Sequence, residues 1–214
     1  MRRVYPVFGI VAAVSYILYV VIGGFISEGG YSHLVNAISE LSYFVQKDKY
    51  IYLSKLSDTY TISLLFFSII AFIDFKRYKS NLCRIAFILL LLNGISGMMM
   101  TFFPMDARGS QTTFDGTVHL VLAGLCAIFS ILPPFLAGLG FKKIPKFKHL
   151  SVFSIISSVI IFFSGGITAA GAANQIKYFG IFERITIGTY IVWILVISIQ
   201  IFFINLKSSE LKLT

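Results

Sequence analysis

Three residues in the second half of the chain are spaced for chemistry. Thr112, Asp115 and His119 stand at relative positions 0, 3 and 7, which lines their side chains along one helix face. An imidazole oriented by a carboxylate suits acid–base work or a metal ion. Asp106 and Arg108 lie just upstream, in Phe103-Pro104-Met105-Asp106-Ala107-Arg108. A structural reading fits equally well. Thr112-x-x-Asp115 has capping-box form, with Asp in place of Glu or Gln, and a buried histidine must satisfy its own polar atoms.

A second group lies earlier in the chain. From Ser32 to Val45 the apolar residues Leu34, Ile38, Leu41 and Val45 share one helical face. His33, Asn36 and Glu40 form the opposite stripe, with Ser39 beside it and Ser32 as N-cap. This pattern predicts a short amphipathic helix lying at a membrane interface, or one folded over the mouth of a bundle with its polar stripe toward a pocket. The third group is Glu183-Arg184, at the start of the last apolar run. Glu183 suits the N-terminal end of a helix dipole; Arg184 opposes it and therefore calls for a partner. Glu40, Asp106, Asp115 or a bound anion would serve, and a guanidinium suits a headgroup phosphate.

The elements that carry these groups are six apolar runs free of charge: Val4–Ser27, Thr59–Ile73, Ile85–Met105, Gly116–Phe141, Leu150–Ile176 and Ile185–Leu206. A bilayer core of about 30 Å needs about 20 apolar residues in a helix. Only Thr59–Ile73, with 15 residues, falls short. Charge decides that it spans. Arg2, Arg3, Lys76, Arg77, Lys79, Arg84, Lys142, Lys143, Lys146, Lys148, Lys207 and Lys212 reach one side together only if the second run crosses. Lys/Arg-rich short loops mark the cytoplasmic side. The expected fold is all-α: a polytopic membrane bundle of six transmembrane helices, both termini cytoplasmic, with the interfacial helix in the first outer loop. Spans are expected near residues 5–27, 57–75, 84–104, 115–140, 150–173 and 182–206, in a single membrane domain over 1–214. Asp58 and Asp74, flanking the short run, are expected to reach the interfaces.

The net charge of +9 is divided among short loops beside the spans, where it sets orientation and meets anionic headgroups. Nucleic acid is excluded as a partner on that ground. Residues 1–27 read as a retained helix, because the apolar region exceeds a signal peptide's and no A-x-A-like site follows. Cys83, at a span's cytoplasmic edge, and Cys126, in mid-span, are not placed to pair. Gly165, Ala169 and Ala173 recur every four residues, and Gly23-Gly24, Gly94 and Gly97 add small residues elsewhere. Such faces let helices approach closely, within the monomer or across a homodimer.

Ile38-Ser39-Glu40-Leu41, Phe103-Pro104-x-Asp106, Thr113-x-x-Gly116-x-x-His119 and Gly180-x-x-Glu183-Arg184, with Trp193 in the last helix, occur in this order. That series resembles the membrane family catalogued as domain of unknown function 998, over nearly the whole chain. The resemblance implies a prokaryotic-type six-helix membrane protein, and it implies that Ser39, Glu40, Asp106, His119, Glu183 and Arg184 belong together. It assigns no reaction.

Three functions are open on these residues. The first is an outward-facing pocket in the plasma membrane, where Arg184, Glu183, Arg108, His33, Asn36 and His119 hold a lipid headgroup or small polar ligand between apolar walls. The second is a hydrolase or transferase acting on lipid at the outer leaflet. His119 or Glu40 would be its base, Asp115 or Asp106 the orienting group and Ser39 the nucleophile. Its resemblance to zinc-dependent membrane hydrolases fails, since only His33 and His119 are expected on the outer side, so neither metal nor cofactor is expected. The third is a small-molecule transporter, disfavoured because no run contains Asp, Glu, Lys or Arg. A structural or partner-binding role is the remaining reading.

Overall fold

The structure is a computed structural model describing residues 4–27, 31–41, 51–106, 110–174 and 176–210. It is all-helical. The six long helices are α1 (Tyr5–Ile26), α2 (Ile51–Asp74), α3 (Asn81–Met100), α4 (Phe114–Phe141), α5 (Leu150–Ala173) and α6 (Phe179–Glu210). All six are long and apolar enough to cross a membrane. Short 3-10 turns at Phe75–Tyr78 and Pro145–Phe147 link α2 to α3 and α4 to α5.

Each helix packs against the next in sequence, and α6 returns to α1. The result is a closed ring of six. Outward faces carry Val7, Val11, Val14, Leu18 and Val21 on α1, and Val152, Ile156, Val159 and Phe163 on α5, all exposed. Exposed apolar surface of this kind suits contact with lipid, because every main-chain polar group is satisfied within its own helix. Inward faces carry small residues and hydroxyls. Ser154 on α5 accepts the indole N–H of the fully buried Trp193 at 3.0 Å, and Ser158 donates to the Ile131 carbonyl at 2.8 Å. In lipid, close packing and such bonds hold helices together, since expulsion of water no longer does.

The end of the ring carrying both terminal helix ends is densely filled. Phe75, Phe87, Phe141 and Phe147 are fully buried, with ring centroids 4.9 to 6.0 Å from that of Phe75. Beside them Asp74 binds Arg77 at 2.7 Å and accepts from the Tyr5 hydroxyl at 3.2 Å. Arg77 in turn donates to Asn205 at 2.8 Å, so this network ties α1, α2 and α6.

Several boundaries depart from expectation for local reasons. Helix α2 begins at Ile51, eight residues before its charge-free run, and thereby reaches spanning length. Asp58 is exposed within it, and Asp74, at its end, is buried in an ion pair with Arg77. Helix α3 stops at Met100, before Pro104, where the Thr101 hydroxyl takes the Met98 carbonyl. Gly165 approaches Thr186 of α6, but Ala169 and Ala173 are exposed. That stripe thus opens partly onto a surface groove of about 510 Å³ between α4, α5 and α6. Gly23 receives Leu41 of the first connection and Leu53 of α2, and Gly24 receives His33 of that connection. Both cysteines are free.

Candidate functional site

The end opposite the termini holds the residues singled out by sequence. The expected amphipathic helix at Ser32–Val45 does not start at Ser32: residues 31–40 run as turns, Leu41 is helical, and Ser42–Val45 lie outside the described residues. Side chains claim the main-chain groups a helix would need. Asn36 Oδ1 accepts from Ser32 N at 2.9 Å, and Glu40 accepts from Ala37 N at 3.2 Å and from the Asn36 amide. Glu183 accepts from Ile38 N.

These turns cover the ring end. Ala37, Ile38 and Leu41 are buried, with Ile38 and Leu41 packed against Tyr19 and Leu53. Arg184 pins the segment down. Its Nε donates to His33 Nδ1 at 3.2 Å, its Nη1 to the carbonyls of Asn36 at 2.7 Å and Gly180 at 3.0 Å, and its Nη2 to the Tyr31 hydroxyl. Donation into Nδ1 fixes His33 as the neutral tautomer protonated on Nε2. Burial, then the Arg184 charge, holds the His33 imidazole below its ordinary pKa, and burial pushes the Tyr31 hydroxyl up to about 12. The partner that Arg184 requires is therefore the lid formed by residues 31–41. Four of its five N–H donors are spent there and on its own helix, too many for a bidentate phosphate clamp. Because α6 starts at Phe179, Glu183 stands a turn inside the helix, where the terminal dipole no longer accounts for it.

The second connection is organised around Asp106. Its Oδ2 accepts from Thr113 N at 2.9 Å and its Oδ1 from the Thr113 hydroxyl at 2.7 Å, while Thr113 Oγ1 accepts from Gly116 N at 3.0 Å. The N-cap of α4 is thus Thr113, not Thr112, and the 0, 3, 7 register fails because the helix begins only at Phe114. Asp115 is exposed in the first turn, apart from the buried His119. The two Thr113 bonds keep the Asp106 carboxyl below the ordinary carboxylate value. A Cβ on Gly116 would stand 1.8 Å from Asp106 Oδ2, so a larger residue would have to displace that carboxylate from Thr113. His119 Nδ1 lies 2.8 Å from the Phe103 carbonyl, which must accept its proton; among the described residues nothing engages Nε2. That leaves a nitrogen lone pair, within electrostatic reach of Asp106. Ser39 Oγ meets Met105 Sδ at 3.4 Å, where the two connections touch. Arg108 lies outside the described residues.

Inside the ring, below the lid, lies a set that the motifs did not reveal. On α6, Glu183, Ile187, Tyr190, Ile194 and Ile197 follow one helical stripe, facing the centre. Tyr16 on α1, Tyr60 on α2 and Cys126 on α4 stand on the equivalent stripes of their helices. All three, and Glu183, keep accessible surface although residues above and below them on the same stripes are buried. A Cβ on Gly97, on the inward face of α3, would meet nothing within 4 Å. Partly buried side chains in the middle of inward faces are the pattern that incomplete filling of a ring interior produces. Tyr16 lies within electrostatic reach of Tyr60, Glu183 and Cys126. Tyrosine and glutamate seven residues apart on an apolar helix was the legible signal. Among the described residues no three His, Cys, Asp or Glu side chains gather as a metal site would need.

A family model described as "protein of unknown function (DUF998)" matches residues 10–200. The chain belongs to this family. No curated protein and no solved structure matches it. Membership in DUF998 agrees with the four ordered motifs, to which the structure gives three local duties: Ile38 and Glu40 in the lid, Asp106–Thr113–Gly116 in the α4 cap, and Gly180–Glu183–Arg184 in the clasp between lid and ring. The six residues that the resemblance grouped divide into lid and cap, joined at Ser39 and Met105.

Proposed function

We propose that this DUF998 protein is a multi-pass plasma-membrane binding protein whose ring interior, beneath the lid, holds a lipid headgroup or another small polar ligand. Both termini face the cytoplasm in this reading, as the Lys/Arg distribution supports, and the lidded end faces outward. One observation carries the proposal: Tyr16, Tyr60, Cys126 and Glu183 retain accessible surface on inward faces of a closed ring. Polar groups turned toward unfilled space in a membrane protein are costly unless something meets them. His119, with Nδ1 committed to Phe103, offers Nε2 as an acceptor near the mouth. Phe102 and Phe114, 68% and 76% exposed at that end, would lie against acyl chains near the headgroup level.

The test fills the space. Gly97→Phe puts a ring where a Cβ meets nothing. Protein released from native membranes into detergent is examined by native mass spectrometry for retained small molecules. A bound species on the wild type that Gly97→Phe lacks, with the thermal midpoint preserved, is the expected result. Identical spectra for the two proteins sink the proposal.

The hydrolase reading keeps one favourable observation, the pinned imidazole of His119 beside Asp106. Ser39 Oγ, however, is directed at Met105. Loss of a lipid-cleaving activity in His119→Ala, with ligand retention unchanged, would favour catalysis over binding.

A further inference from the structure

Resting on the interior-pocket reading above, we propose that the ligand is a compact organic ammonium ion, held by the Glu183 carboxylate and the rings of Tyr16 and Tyr60, with Tyr190 at the floor. The chemistry of the lining selects the class. Tyr16 and Tyr60 come from different helices, their ring centroids 4.7 Å apart and tilted by 60°, so the two rings form a tilted pair on the stripes that face the centre. Aromatic faces are negative and attract an alkylated ammonium without stripping water from it as a phosphate or a small metal ion would require. Glu183 Oε2 is occupied by Ile38 N, whereas Oε1 accepts nothing from the described residues. Glu183 is the one acid on the stripe, so any charge the stripe carries is negative.

The nearest cation is already committed. Arg184 turns toward the lid, where Tyr31, His33 and Asn36 take its donors. Among the described residues no lysine or second arginine stands on the inward stripes beneath the lid. An anion would meet Glu183 unopposed.

A second, independent feature points to an occupant. The Tyr190 hydroxyl is buried, with the residue 3% exposed, and makes no well-formed hydrogen bond although it faces Tyr60, Cys126 and Tyr16. Tyr60 is its hydroxyl neighbour at poor bonding geometry, and a ligand's hydroxyl or an accompanying water would complete the bonding of this buried group. Choline and ethanolamine derivatives carry both an ammonium and a hydroxyl, so they serve as probes of the class. The lid gives the site its gate: Ile38 N binds Glu183 from above, so departure of residues 31–41 exposes the carboxylate.

Cys126 serves as the reporter, a thiol outside any disulfide on the α4 stripe, whose Sγ lies 3.9 Å from the Asn93 carbonyl. The full-length protein in nanodiscs is treated with the small neutral reagent N-ethylmaleimide, and modification of Cys126 is followed by site-resolved mass spectrometry. Choline and its neutral isostere 3,3-dimethylbutan-1-ol are titrated as protectants, on the wild type and on Glu183→Gln. The glutamine keeps the acceptor for Ile38 N, so the lid contact survives. Protection by choline at about tenfold lower concentration than the isostere, with the difference gone in Glu183→Gln, is the expected outcome. Equal protection by both, or by neither while the thiol reacts, overturns the ammonium assignment and leaves the interior pocket standing. A thiol inert until the protein is unfolded removes the pocket as well.

Discussion

Arg184 Nη1 donates to the main-chain carbonyl of Asn36 at 2.7 Å, across 148 residues of sequence. The first turns of the last helix thereby hold the connection between the first two helices over the ring mouth. The same guanidinium reaches Tyr31 and His33, so one side chain ties three lid residues to the last helix.

Replacing Arg184 with Gln should free the lid and leave the helices assembled. Losing several charge-assisted bonds to one segment is worth about 2–4 kcal/mol of local opening free energy. Hydrogen exchange over residues 31–41 should then quicken by at least about thirtyfold, while exchange in α2 to α5 stays put. Arg184→Lys should rescue little, because an ammonium cannot spread its donors over Tyr31, His33 and two carbonyls at once. Unchanged protection in the Gln variant would mean that Ile38 and Leu41 hold the lid by packing alone.

Gly180 and Gly97 should respond oppositely to alanine. At Gly180 a Cβ would lie 2.6 Å from the Asn36 carbonyl oxygen and 3.0 Å from that of Leu34, both main-chain atoms of the lid. Gly180→Ala must push the lid outward, at a cost of about 1–3 kcal/mol. At Gly97 the Cβ meets nothing, and Gly97→Ala should leave the thermal midpoint unchanged or raise it slightly, since alanine favours a helix by up to about 1 kcal/mol. Thermal midpoints of the two variants in one detergent check this. Equal losses would show that Gly97 is packed.

The six spans were legible because exclusion of charge from lipid writes itself into every run of twenty residues, and a short run could be rescued by loop charges. Glu183, Arg184, His119 and Asp106 were legible as polar residues at helix ends. Their partners were not. The lid's turns depend on Arg184 and Glu183, about 145 residues away, which override a local pattern that reads as helix from Ser32 onward. The cap slipped by one residue because Asp106, seven positions before Thr113, competes for it; a motif scan sees Thr112-x-x-Asp115 and not a carboxylate arriving from the preceding loop. Tyr16, Tyr60 and Tyr190 were hidden for another reason. Tyrosine in an apolar run looks like packing until ring closure shows which stripes face the centre.

At the opposite end, Asp74→Asn should loosen the clasp joining α1, α2 and α6. Asp74 is 2% exposed and serves both Arg77 and Tyr5. Asparagine keeps an acceptor for Tyr5 but strands the Arg77 charge, which is a third exposed and can turn toward water or headgroups. That escape limits the loss to about 1–2 kcal/mol, below the cost of orphaning a fully buried partner. The thermal midpoint should fall by a few degrees while lid exchange at residues 31–41 stays as in the wild type. A change in lid exchange would reveal coupling between the two ends of the ring.

Acid should open the lid through His33. Its imidazole accepts the Arg184 Nε–H on Nδ1, which a proton there would replace with a second donor facing a cation. Its pKa is held below the ordinary 6.5, by burial first and by Arg184 second. The open state therefore binds more protons than the closed state in the window below 6.5, so closure is favoured as pH rises. The contribution is complete above about 6.5 and fades as pH falls from there toward the lowered value. Exchange over residues 31–41, corrected for its intrinsic pH dependence, should quicken on going from pH 7.5 to pH 5.5. His33→Gln, which keeps an acceptor and cannot gain a proton, should remove that dependence and leave the lid closed at both pH values. A variant that opens with acid as the wild type does would move the switch from His33 to another group at the mouth.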